Sequence, residues 1–257
     1  MKFEKNDFIN GSVRDNVLGE VNGYYNGKKF NLASITKDSE LLYNRKIDKY
    51  ILLVPENAKI LNNEKKNEIS IMDPGIREYM SCLSENKVIK IGAGISKRIE
   101  EYLEKINLIN QNEEIQQKRK KKLEIKYYNK LEHLIDELHW KTINYLTLNY
   151  KKILIGNMSA KGIVSNENAF QLRDITKQAV MVMGYYKFRQ RLEYKCKCRG
   201  CIYECVDEWI TSKACSLCGN IKENLFGNKV YNCENCGSKM DRDINSDRNI
   251  YIKSRYC

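Results

Sequence analysis

The chain has 257 residues, with 45 Lys plus Arg against 33 Asp plus Glu and a formal net charge of +12. That length supplies one substantial core and a small satellite module, and the positive surplus suits a polyanion, nucleic acid first, with a merely solvated basic surface as the alternative. No apolar run reaches the ~18 residues that span a bilayer and Met1–Asp7 has no apolar h-region, so the ten cysteines read as intracellular thiols and metal ligands, not as a disulfide framework.

Residues 1–66 are expected to be irregular and β-rich. They carry the turn signals Asn22-Gly23 and Asn26-Gly27 and an apolar strand, Tyr50 to Val54, stopped by Pro55. A polar linker, 62–67, leads to a strand Ile69–Met72 that ends at Asp73-Pro74-Gly75. Two further strands, 78–83 and 87–91, flank Ser84-Glu85-Asn86. Cys82 in the first of them, and Cys257 at the end of the chain, read as plain small residues.

From about 96 to 148 the pattern is helical, with Leu131, Leu134, Ile135 and Leu138 at helical spacing. The span is long for one helix, so a hairpin of two is expected. The run Lys118 to Lys122 reads as a solvated helix face, and His133 and His139 as helix-surface histidines.

Ile153-Leu154-Ile155 is a buried-type strand, and Asp174 to about Leu192 a helix with an aromatic and basic end. There Tyr185, Tyr186 and Phe188 serve either base stacking or helix packing, and Lys187, Arg189 and Arg191 are candidates for phosphate contact. Residues 194–206 alternate like strands around Arg199-Gly200. Their cysteines, Cys196, Cys198, Cys201 and Cys205, match no standard metal spacing and read as strand packing. A short helix, about 244–253, follows. Strands, helices and further strands argue for an α/β layer around a mixed sheet.

Two Cys-x-x-Cys knuckles, Cys215/Cys218 and Cys233/Cys236, are each followed by Gly and separated by fourteen residues. This is the ligand count and spacing of a structural zinc ribbon, closed because four thiolates leave no open position. A carboxylate-rich turn, Asp241-Arg242-Asp243, comes next. Asp73 ends a strand before a rigid Pro-Gly, and Asp243 opens a helix. Alone, these are an Asx turn and an N-cap. Together they resemble carboxylates that hold two Mg²⁺ or Mn²⁺ ions ~3.5–4 Å apart for phosphodiester hydrolysis. Hard oxygen ligands and thiolates do not compete for the same metal.

The segments Ile71 to Arg77, Tyr186 to Leu192, Asp207 to Lys213, the two knuckles and Asp241 to Ile250 resemble, in the same order, the TnpB nucleases of bacterial transposons and their Fanzor relatives. The resemblance covers roughly residues 50–252. It implies an RNase H-like (RuvC-like) mixed sheet flanked by helices, an inserted zinc ribbon, and RNA-guided, metal-dependent cleavage of DNA. Carried over, Asp73 is the first catalytic carboxylate and Asp243 the last. The family's middle Glu is absent, since the strand ends Gly156-Asn157. Fanzor-like proteins place a Glu before the Thr-Ser-Lys segment, which here is Glu208.

The expected division is a partial wedge-like segment 1–66, a nuclease core 67–213, the ribbon 214–237 and the end of the core 238–257, with Lys213 and Arg242 added to the basic residues facing nucleic acid. The resemblance implies DNA and a guide RNA as partners, no membrane, and the nucleus or cytoplasm of a eukaryotic or virus-infected cell. The missing acid at Asn157 and an N-terminal part shorter than in relatives favour an alternative, a catalytically inactive nucleic-acid-binding remnant.

Overall fold

The structure, a computed structural model, describes residues 1–9, 12–13, 19–25, 27–57, 64, 67–85, 87–164, 172–222 and 228–256. Asn26 of the second expected turn, Asn86, most of the linker and Cys257 lie outside them.

The N-terminal segment is built of short strands: β1 (Lys2–Phe3), β2 (Phe8–Ile9), β3 (Ser12–Val13), β4 (Gly19–Glu20), β5 (Gly23–Tyr25), β6 (Lys28–Phe30), β7 (Ser39–Asn44) and β8 (Lys49–Leu53). They form sheets β1-β7-β8, β2-β3-β4 and β5-β6 around a small core of Phe3, Phe8, Val13, Leu32 and Ile35.

The central sheet comprises β9 (Asn67–Pro74), β10 (Met80–Ser84), β11 (Lys87–Ile91), β12 (Tyr150–Gly156) and β13 (Ile202–Val206), in the order β11-β10-β9-β12-β13. The first three strands are an antiparallel meander; β12 runs parallel to β9, and β13 parallel to β12. The helices are α1 (Ile95–Gln111), α2 (Gln117–Asn149), α3 (Ala160–Val164), α4 (Asp174–Met183), α5 (Tyr185–Arg199) and α6 (Arg242–Tyr256). The helical span thus divides into α1 and α2, as a turn at 112–116 requires. The hairpin of β7 and β8 leans on α2, with Lys49 Nζ 3.2 Å from Asn129 Oδ1 and the Lys46 ammonium 5.3 Å from the Tyr128 ring centre.

Strand alternation assigns side chains to two faces. Met72, Met80, Cys82, Ile153 and Ile155 enter the main core with Ile99, Ile143, Leu146, Phe188 and Leu192 of α1, α2 and α5. Ile71, Leu154 and Val206 pack on the opposite face against Ile250 of α6. Covering both faces explains why Ile153-Leu154-Ile155 is apolar without a break. Each such side chain contributes about 1.5–3 kcal/mol by leaving water. Cys82 is a core residue whose thiol lies 3.0 Å from Ser70 Oγ.

Three local expectations are corrected. The helix expected over 174–192 is two, because Gly184, in the left-handed region at φ 63°, ends α4 and opens α5. Residues 194–199 are helical, not strand-like: α5 runs to Arg199 and stops at Gly200, also at φ 63°, where Cys201 N–H bonds back to Cys196 O. Cys196 and Cys198 therefore sit buried on a helix.

His139 is not on the surface but fully buried. Its Nε2 lies 2.9 Å from Met183 O and 2.8 Å from Tyr79 Oη, while Arg191 donates to Nδ1 at 3.3 Å. An acceptor at Nδ1 fixes the neutral Nε2–H tautomer, and burial above all pushes the group down to about 4. Tyr185 and Phe188 belong to the same aromatic stack, Tyr185 lying parallel to Tyr79 at 5.3 Å. Of Tyr185, Tyr186 and Phe188, only Tyr186 is exposed.

Candidate active site and metal centre

The knuckles of the cysteine module are formed by backbone geometry. Gly219 N–H bonds to Cys215 O and Gly237 N–H to Cys233 O, with both glycines at positive φ (76° and 70°) where a side chain would be strained. A two-stranded hairpin, β14 (Val230–Asn232) and β15 (Lys239–Asp241), carries the second knuckle. Cys215 and Cys236 sulfurs stand 3.7 Å apart, and Cys218 and Cys233 3.5 Å. All four lie within 4.8 Å of one another. Tetrahedral thiolates on one ion with ~2.3 Å bonds stand about 3.8 Å apart, so the four cysteines can hold a metal ion. Burial opposes the Cys215 thiolate, but Ser238 and the N–H groups of Leu217 and Cys218 outweigh it and bring that thiol down to about 6. The Cys236 N–H favours a thiolate at Cys233, yet burial and the neighbouring Cys218 and Cys236 thiols push it up to about 11.

Two asparagines of α6 fasten this module to the core. Asn245 donates to Ala214 O at 2.7 Å and accepts from Ser216 N–H at 2.9 Å. Asn249 donates to Thr211 O at 2.7 Å and Ala214 O at 2.8 Å. Thr211 in turn donates its N–H and hydroxyl to Glu208 O, at 3.1 and 2.9 Å. Between them Ile210 is held at φ 57°, a strained conformation for a β-branched residue. A chain of short contacts thus links the knuckles, α6 and Glu208.

The candidate carboxylates gather on the sheet face covered by α6. The register runs Lys90↔Ser81 and Ser81↔Asp73, and one step beyond Ile155↔Met72 puts Gly156 beside Asp73. Asp241 caps α6, accepting the N–H groups of Asp243 at 2.8 Å and Ile244 at 3.4 Å. The cap is therefore Asp241, and Asp243, Ser246 and Asp247 share the helix face above that row. Asp243 Oδ2 is 3.4 Å from Lys90 Nζ, which also meets Asp241 and Glu78. Ser246 bonds to Asp73. Ser81 Oγ donates to Asp247 Oδ2 at 2.7 Å.

Glu208 follows β13 and turns back over Gly156. A Cβ built on Gly156 would overlap Glu208 Oε1 and lie 2.6 Å from its Cγ and Cδ. The carboxyl of Glu208 thus fills the volume that a side chain at the end of β12 would take, next to Asp73. Its Oε1 is buried without a hydrogen-bond partner, as is Asp247 Oδ1.

Charge is crowded here. Burial, and to a lesser degree Asp243, lift Asp73 to about 7 despite the Ser246 bond. Burial and then Asp73 lift Glu208 to about 8, against the Met158 N–H and Arg189. Burial with Asp73 and Asp243 nearby raises Asp247 well above the usual carboxylate range. Such donors are hard oxygens short of protons or cations, and a divalent ion suits them. Among the described residues, however, only the four cysteines bring three or more ligand atoms within 4.8 Å of one another. Asp73, Glu208 and Asp243 interact at longer range.

The basic candidates divide. Arg191 is held by Asp136 at 2.7 Å and lies over the Trp140 ring, and Arg189 donates to Met158 O at 2.9 Å beside Glu208. Lys187 reaches Asp136 only at 3.5 Å. Lys213 is exposed below the first knuckle, and the charge of Arg242 reaches Asp73. The sequence offered no signal for Asp247 or Gly156, which matter only through neighbours in space.

Similarity to known proteins follows the same residues. The family described as Cas12f1-like, TNB domain, matches 185–250, from α5 through the cysteine module into α6. A TnpB-like protein of Acanthamoeba polyphaga mimivirus is 34% identical over 93% of this chain and 50% of its own length. A second from the same virus is 35% identical over 85% of this chain and 44% of its own. The CRISPR-associated endodeoxyribonuclease Cas12f1 of Sulfoacidibacillus thermotolerans is 34% identical over 35% of this chain and 22% of its own length. Among solved structures, the cryo-EM structure of the Cas12f1-sgRNA-target DNA complex shares the fold, with a TM-score of 0.51 at 19% identity over 84% of this chain and 45% of that one. The chain spans about half the length of the curated relatives it matches. No described helix is long and apolar enough to cross a membrane. On the strength of these matches, the chain is related over most of its length to TnpB-like proteins.

Proposed function

We propose that this chain is the RNase H-like, RuvC-type core of an RNA-guided DNA endonuclease of the TnpB/Fanzor kind. Asp73, Glu208 and Asp243 hold Mg²⁺ or Mn²⁺, and Cys215, Cys218, Cys233 and Cys236 hold a structural zinc. When bound, the divalent ions activate water and stabilise the leaving oxygen of a phosphodiester. The observation that carries the reading is the seating of Glu208 over Gly156 beside Asp73, whose charge, after burial, raises the Glu208 carboxyl. It supports Glu208 as the third acid and the Fanzor branch as the nearer one.

Lys187, Lys213 and Arg242 are the residues offered to nucleic acid, with Arg189 and Arg191 holding α5 in place behind them. DNA and a guide RNA are the partners, consistent with the sgRNA and target DNA in the Cas12f1 complex. The viral relatives favour work inside a virus-infected eukaryotic cell.

The test is Mg²⁺-dependent cleavage of single-stranded and duplex DNA, with and without co-purified RNA. Cleavage lost in Asp73→Ala and Glu208→Gln supports the site, and cleavage that survives either substitution removes that residue from it. A second reading, a binding remnant, is favoured by Lys90 engaging Asp243. It gains if DNA binds but is cut in none of these formats.

A further inference from the structure

We propose that Asn157 is a positioning residue that holds Glu208 on its seat above Gly156. The inference rests on Glu208 being a metal ligand, and it gives a role to the residue that follows the empty strand-end position.

Asn157 reads three successive residues of the segment leaving β13. Its N–H donates to Val206 O at 2.9 Å, extending the β12–β13 ladder by one step. Its side-chain Nδ2 donates to Asp207 Oδ1 at 3.2 Å, and its Oδ1 accepts the N–H of Glu208 at 3.2 Å. The partners fix the amide orientation, because a backbone N–H only donates and a carboxylate only accepts. No carboxylate at 157 does both. An Asp there offers acceptors alone, so it cannot donate to Asp207 and places its charge against that carboxylate.

The segment needs such a hold. The parallel ladder ends at Val206, and the Glu208 side chain must bend back across the strand end instead of extending away from it. Downstream, the turn is closed over the strained Ile210. Upstream, Asp207 is drawn on its other oxygen by Lys253 at 3.6 Å and by the Trp209 N–H at 3.3 Å. Asn157 supplies a backbone restraint from the end of the strand beside Asp73, next to the Met158 N–H that meets the Glu208 carboxyl itself. Its side chain is exposed, so replacing it opens no core.

The experiment is a double-mutant cycle in the whole, zinc-loaded chain, reading Mn²⁺ affinity from the electron paramagnetic resonance signal of free Mn²⁺. Asn157→Ala is expected to weaken Mn²⁺ binding by about ten- to a hundredfold, the usual cost of losing a residue that orients a ligand. Asn157→Asp should weaken it at least as much. In a Glu208→Gln background the same Asn157→Ala change should cost less than about twofold, since it acts only through a carboxylate already removed. Wild-type affinity in Asn157→Ala, or an equal loss in both backgrounds, overturns the proposal. If Glu208→Gln and Asp73→Asn both bind Mn²⁺ like the wild type, the metal-site reading itself fails and this one with it. If those two weaken binding and Asn157→Ala does not, only the positioning role is lost. Unchanged zinc content and circular dichroism certify the fold of each variant.

Discussion

Glu208 and Gly156 share one space: the acid lies where the glycine's side chain would be, with Cγ and Cδ each 2.6 Å from the position of a Cβ. Gly156→Ala should therefore displace Glu208 whole, since its stem collides as well as its tip. Gly156 is buried, but the three atoms nearest the added methyl all belong to this one side chain, so the sheet should survive. We expect folded protein with cleavage lost to the level of Glu208→Gln. Full activity in Gly156→Ala would mean that Glu208 works from some other seat.

The crowded acids set a pH dependence with a defined sign. Asp73 and Glu208 are lifted to about 7 and about 8 in the folded chain, from ordinary values near 4. Between those limits the folded state binds more protons than the unfolded state, so metal-free stability falls as pH rises from about 4 to 8. A divalent cation relieves the ionised pair only at the upper end. Thermal melts should show a larger rise in Tm with Mg²⁺ at pH 8 than at pH 5, and an equal rise at both would contradict this arrangement.

Asp247 is the acid without a metal role in this scheme. It is fully buried, bonded through one oxygen to Ser81, and has no partner for the other. Asp247→Asn keeps the shape and removes a charge that burial disfavours. It should raise the melting temperature at pH 8 and change it little at pH 5. A drop at pH 8 would show that Asp247 is ionised and usefully so.

Asn249→Ala removes two buried bonds that clamp Thr211 and Ala214. Ala214 O keeps its bond from Asn245, but leaving the buried Thr211 carbonyl unpaired costs about 1–3 kcal/mol, read from urea unfolding. Zinc content should be retained, because no ligand is touched. Cys233→Ser, by contrast, should lose the metal, and a zinc-replete Cys233→Ser chain would refute the four-thiolate assignment.

What the sequence disclosed and what it withheld divide along the distance over which each feature is encoded. The knuckles were legible because four ligands and two glycines sit at fixed local spacing. Asp73 was legible because a strand, an acid and Pro-Gly follow one another. Asp243 lies in a motif whose asparagines declare themselves only in space, as clamps on residues some thirty to forty positions earlier. Gly156 and Glu208 are fifty-two residues apart, and nothing local marks one as the vacancy for the other. His139 was misplaced because helical spacing tells which residues share a face, not which way that face turns. The strand-like cysteines before Gly200 were misread because alternation over six residues is too short to outvote helix packing against the sheet.

The strained turn at Ile210 carries a consequence for maturation. Its left-handed conformation costs of order 1–3 kcal/mol and persists only while contacts on both sides hold it, among them Thr211 and the cysteine module gripped by α6. An acid borne on a strand is in place once the sheet forms. Glu208 is borne on a loop, so the sheet can be complete while its carboxyl is still unseated. On the proposed reading, metal uptake by the cysteine module would then come before Glu208 is seated.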